Sequence, residues 1–115
     1  MIAMLLEELL SMMGHQVCAI ATTGDEAVQA ASKHRPDLMV VDDRLGSGSG
    51  PEAMDEILKD VYVPHMFVTG NALRVSLAIP WAVVISKPFH ESDLVRGIAD
   101  AMSAERRRLV LARGA

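Results

Sequence analysis

At 115 residues, with a formal net charge of −4 and a pI near 5.5, the chain is sized for one compact domain, 1–115, with no overall attraction for nucleic acid or an anionic membrane. Half of the residues are hydrophobic, yet beside eight Met there are only one Trp, one Tyr and two Phe, so the core must be largely aliphatic, and an intrinsically disordered chain is excluded. The single cysteine, Cys18, cannot form an internal disulfide and lies in an apolar run, which predicts a buried thiol in a reducing, cytoplasmic setting.

The opening stretch to Met13 carries Glu7 and Glu8, lacks a basic leader and is too short to span a bilayer, so neither signal peptide nor anchor is expected. Ile2, Leu5, Leu6, Leu9, Leu10 and Met13 recur at helical spacing, and Gly14 follows as a natural stop. Val17–Ala21 is a short apolar run that predicts a strand. Thr23 and Glu26 have capping-box spacing, opening a helix that runs to about His34 and is stopped by Pro36. Leu38–Val41 is continuously apolar, as expected of a strand buried on both faces, and ends in Asp42 and Asp43.

Gly46–Gly50 alternates Gly and Ser and alone would be a flexible linker, but Pro51 then stands where a helix would begin. Met54, Ile57, Leu58 and Val61 give that helix a buried stripe. His65–Thr69 predicts the next strand, Asn71–Ile79 a loop or frayed helix, and Ala82–Ser86 a further strand ending at Lys87-Pro88-Phe89. Glu91 and Asp93 open a last helix with Leu94, Val95, Ile98 and Met102 inward and Arg106–Arg108 near its end. Trp81 is expected to pack, and the four histidines lack metal-ligand spacing.

Alternating strands and helices of these lengths imply a parallel sheet with right-handed crossovers. Ligands bind such sheets beyond the carboxyl ends of the strands. Three strands here end in chemically capable residues, Asp42, Thr69 and Lys87. A carboxylate at such an edge can attack phosphorus if a lysine and a hydroxyl neutralise the phosphoryl oxygens. For a Mg²⁺ ion the local donors are Asp42, the backbone carbonyl of Arg44 and, as an additional carboxylate, Asp43. Taken singly, each has an ordinary reading: a turn for the Asp pair, a strand end for Thr69, an edge charge for Lys87. Their joint placement favours a site.

Pro36–Asp42 resembles the run leading to the phosphorylated aspartate of response-regulator receiver domains. Lys87-Pro88-Phe89 is similar to that family's Lys-Pro-Phe, and Gly24–Ala27 to the entrance of its second helix. Gly-Ser-Gly after the acceptor loop and Pro64–Gly70 further resemble the Phe-x-Thr-Gly receivers, among them those of the alphaproteobacterial general-stress pathway. The resemblance implies a flavodoxin-like three-layer α/β sandwich and a stand-alone phosphorelay receiver that is not an enzyme. In it Asp42 accepts a phosphoryl group from a histidine kinase or phosphotransfer protein, Thr69 is the switch hydroxyl and Lys87 the phosphate-pairing cation. It also implies a cis bond at Lys87–Pro88, a Mg²⁺ ion, and output by protein contact.

The sequence departs from that pattern at its start. The family's first strand, with the acidic pair that holds Mg²⁺, is missing, and Glu7 and Glu8 are expected on the solvated face of the opening helix. Weak Mg²⁺ binding follows. In a sheet of order 2-1-3-4-5 the lost strand is internal, leaving two unpaired edges. Direct pairing of the flanking strands, a homodimer or element exchange, or a start upstream of Met1 would each close the gap, with dimerisation or exchange the expected one. Val84 stands where many receivers carry an aromatic switch residue. The competing expectation is a degenerate pseudo-receiver, a dimerisation or interaction module that works without phosphorylation.

Overall fold

The computed structural model describes the backbone of residues 2–45 and 48–114 and the side chains of residues 6–44 and 48–103. Among the described residues five helices and five short strands follow in the order α1 (Ile2–Met12), α2 (Gly24–His34), β1 (Met39–Asp42), β2 (Arg44–Leu45), β3 (Gly48–Ser49), α3 (Gly50–Asp60), β4 (His65–Thr69), α4 (Ala72–Ala78), β5 (Val84–Ser86) and α5 (Glu91–Gly114). β1, β4 and β5 form a parallel sheet in that order, Asp42 lying opposite Val68 and Thr69 opposite Ser86.

Period-two alternation sends successive side chains of these strands to opposite faces. Val41 and Phe67 point to one side, where Ala27 and Ala31 of α2, Ala53, Met54 and Ile57 of α3 and Val75 of α4 close over them. Met66, Val68 and Ile85 point to the other, against Leu94 of α5 with Leu6 and Leu9 of α1 at the margin. The result is the expected three-layer α/β sandwich. Gly97 lets α5 approach this second face, since a Cβ there would stand 2.5 Å from Ile85 Cδ1.

The helix ends are set by side chains the sequence marks. Thr23 Oγ1 accepts the N–H of Glu26 at 3.1 Å, while the Glu26 carboxylate reaches back to the N–H and hydroxyl of Thr22. α2 stops at Arg35, whose φ of 46° is left-handed, directly before Pro36. Ser49 Oγ accepts the N–H of Glu52 at 3.2 Å and opens α3.

Several expectations are corrected. Val17–Ala21 forms no strand: it runs beside β1 without a backbone ladder, because a ladder needs an adjacent partner and none lies there among the described residues. A cavity of about 560 Å³ separates this run from β1, lined by Leu10, Val17, Ala21, Val41 and Met54 and reaching Asp42 and Lys87. The flanking runs therefore do not pair directly. Cys18 is exposed rather than buried, and Ile20 is 48% exposed, since none of the described residues covers the outer side of the run.

The Asn71–Ile79 stretch holds a capped helix, α4 (Ala72–Ala78), with Asn71 Oδ1 accepting the N–H of Arg74 at its start and Ile79 closing its end. Within the Gly-Ser stretch, Gly48 and Ser49 form β3, paired antiparallel with β2, and Gly50 opens α3; its Gly46 and Ser47 lie outside the described residues. Trp81 is 83% exposed and Val95 53%, so neither packs inward. Val61 caps α3 and is half exposed rather than part of its buried stripe. The side chains of Ile2, Leu5 and Arg106–Arg108 lie outside those described.

Candidate functional site

The carboxyl ends of β1, β4 and β5 bring the three sequence-marked residues together. Lys87 Nζ donates to Asp42 Oδ2 at 2.7 Å across 45 residues of chain. Thr69, fully buried, ends β4 between them, and its carbonyl accepts the N–H of Lys87 at 2.8 Å. Lys87–Pro88 is cis, as expected. Asp42 is half-buried, open enough for a donor to reach it, and its Oδ1 accepts the N–H of Arg44 at 3.3 Å.

Asp43 is turned inward and only 7% exposed. Its Oδ2 accepts Arg74 Nη2 at 2.8 Å. Burial pushes its carboxyl up, but the Thr69 hydroxyl, the Asp42 side chain and the Arg74 guanidinium outweigh this and hold it below the usual carboxylate value. Thr69 Oγ1 in turn accepts the N–H of Asn71 at 2.9 Å, so the start of α4 is tied to the same hydroxyl.

Two contributors were not singled out from the sequence. Arg74 lies in a stretch without clear periodicity, and with α3 and β4 between it and the acids along the chain no local signal marks the pairing. Gly50 sits directly beneath the acceptor: its N–H donates to the Asp43 carbonyl at 3.1 Å, and any Cβ would overlap the Asp42 carbonyl oxygen. The signal was present as a glycine just before a helix-starting proline, but the Gly-Ser repeat concealed it.

For a divalent cation the donors at this point are two adjacent carboxylates and a backbone carbonyl, and each carboxylate already faces a cation, Lys87 or Arg74. Among the described residues no group of three or more His, Cys, Asp or Glu gathers as a metal site. Such a set suits at most a Mg²⁺ that keeps several waters and leans on a bound phosphate.

Comparison with known proteins agrees with this geometry. The family model for the response regulator receiver domain matches residues 1–99, and the chain belongs to that family. It is 37% identical over 115 residues to the phyllosphere-induced regulator PhyR of Methylorubrum extorquens, covering 93% of this chain and 43% of that protein. It is 33% identical over 107 residues to the transcriptional regulatory protein PdtaR of Mycobacterium tuberculosis, covering 90% and 52%. The chain thus spans about half the length of these curated relatives. Among solved structures, the response regulator PhyR from Brucella abortus superposes with a TM-score of 0.81 at 33% identity over 96% of this chain and 47% of that one. The receiver domain of the sensor histidine kinase PA1611 from Pseudomonas aeruginosa, with a magnesium ion coordinated in its active-site cleft, superposes with a TM-score of 0.74 at 27% identity over 87% of each chain. No helix among the described residues is long and apolar enough to cross a membrane.

Proposed function

We propose that residues 1–115 form one receiver domain that accepts a phosphoryl group on Asp42 from a phosphohistidine of a kinase or phosphotransfer protein. A carboxylate oxygen of Asp42 attacks phosphorus, and the bond from phosphorus to the imidazole nitrogen breaks. The electron pair leaves with the histidine. Lys87 neutralises charge on the acceptor side, and the Thr69 hydroxyl turns to a phosphoryl oxygen. The chain acts as phosphoacceptor rather than enzyme, works in the cytoplasm, and signals by protein contact without binding nucleic acid. A weakly held Mg²⁺ on Asp42, the Arg44 carbonyl and Asp43 would screen the oxygens of the incoming phosphate.

The observation that carries this reading is the 2.7 Å contact of Lys87 Nζ with Asp42 Oδ2 beside the buried Thr69. It is tested by intact-mass spectrometry after incubation with a small-molecule phosphodonor and Mg²⁺. One phosphoryl group should add to the parent chain and none to Asp42→Asn. No addition to a folded parent would sink the phosphoacceptor reading.

A second reading has its own observation: the unpaired Val17–Ala21 run and the cavity beside β1. A pseudo-receiver would use such an opening for dimerisation or element exchange, independently of phosphate. Self-association or partner binding that survives Asp42→Ala would favour it.

A further inference from the structure

Arg74 has no part in the reading above, yet it is the second cation at the acceptor. The residues form two neutral pairs side by side, Asp42 with Lys87 at 2.7 Å and Asp43 with Arg74 at 2.8 Å. The two cations differ. Lys87 is largely covered, whereas the Arg74 side chain is 59% exposed and can be re-aimed. Its backbone cannot move far: the Arg74 N–H donates to Asn71 Oδ1, and the Asn71 N–H donates to Thr69 Oγ1. A mobile guanidinium is thus pegged beside the switch hydroxyl.

Resting on the reading of Asp42 as phosphoacceptor, we infer that Arg74 is a phosphate-binding residue, parked on Asp43 until a phosphoryl group arrives and then shared with or passed to it. A phosphoryl group brings up to about two negative charges and three acceptor oxygens to a place where Lys87 supplies one point charge. A guanidinium presents five N–H donors in a planar fork that matches phosphate oxygens in pairs. Thr69 has one hydroxyl proton, so when it turns to a phosphoryl oxygen it leaves Asp43, loosening the network that parks Arg74. Asp43 then serves as the resting counter-ion that keeps the guanidinium beside the site.

The test compares the parent, Arg74→Ala, Asp43→Asn and the double variant in two measurements. One is the dissociation constant for inorganic phosphate, followed by NMR at the Arg74 side-chain Nε–Hε and at backbone amides of the site. The other is the lifetime of the phosphoryl group on Asp42, read by intact mass. Arg74→Ala should weaken phosphate binding about tenfold or more, the effect expected of a lost charged hydrogen bond, with a parent-like circular dichroism spectrum. Removing Arg74 from the Asp43→Asn background should weaken binding again by a similar factor and shorten the phosphoryl lifetime.

If Arg74 only neutralises Asp43 and staples α4, its removal is silent once Asp43 is uncharged, and that outcome overturns the inference. Absence of saturable phosphate binding by the parent overturns it as well. A parent that binds phosphate through Arg74 but takes no phosphoryl group from a donor would instead count against the phosphoacceptor reading alone.

Discussion

Asp43 stands next to the acceptor in sequence but does different work. It closes a network of Thr69 and Arg74 with its carboxyl held below the ordinary value of 3.8. A group whose folded value is lowered contributes stability that is fully present above its unfolded value and is lost as the pH falls through the folded one. The parent should therefore exceed Asp43→Asn in stability at neutral pH, and the gap should close as the pH drops from 3.8 through that lower value. Urea midpoints at neutral and acid pH measure it, and a gap that stays constant would show that the charge of Asp43 does not stabilise the fold. Asp42, Thr69 and Lys87 were legible because three predicted strands end in them. Arg74 and Gly50 were not, since one acts through a contact 31 residues away and the other through the side chain it lacks.

α4 shows why a stretch without periodicity can still be a helix. Seven residues lie near the lower limit for helix nucleation. They are fixed by Asn71 at one end, by Val75 buried under the sheet, and by the Ile79 N–H donating to the Val75 carbonyl at the other. Leu73 and Leu77, the residues that confuse its pattern, are both exposed. Asn71→Ala removes the cap and should cost about 0.5–2 kcal/mol. The loss should be confined to α4, so amide exchange would quicken over Ala72–Ala78 while β4 stays protected; uniform loss across the sheet would instead mean that α4 is integral to global folding. Val17–Ala21 is the opposite case. Its composition suits a strand, but strand formation depends on a neighbouring backbone that local sequence does not supply.

The three-layer arrangement joins its parts by two kinds of force. The sheet and the helices after it share ladders, turns and ion pairs, and both core clusters were foreshadowed by the apolar runs Leu38–Val41 and His65–Thr69. Among the described residues, no backbone hydrogen bond crosses from residues 2–38 to the sheet; α1 and α2 are held to it by side chains such as Leu6, Leu9, Ala27 and Ala31. Apolar association weakens as water is cooled, whereas a backbone ladder has no such dependence built into it. The chain should accordingly be cold-sensitive along a seam: between about 25 °C and about 4 °C, amide protection in α2 should fall relative to that in β4. Protection that changes in parallel would show one cooperative unit. Refrigeration, ordinarily used to preserve a protein, would then loosen the first third of this molecule.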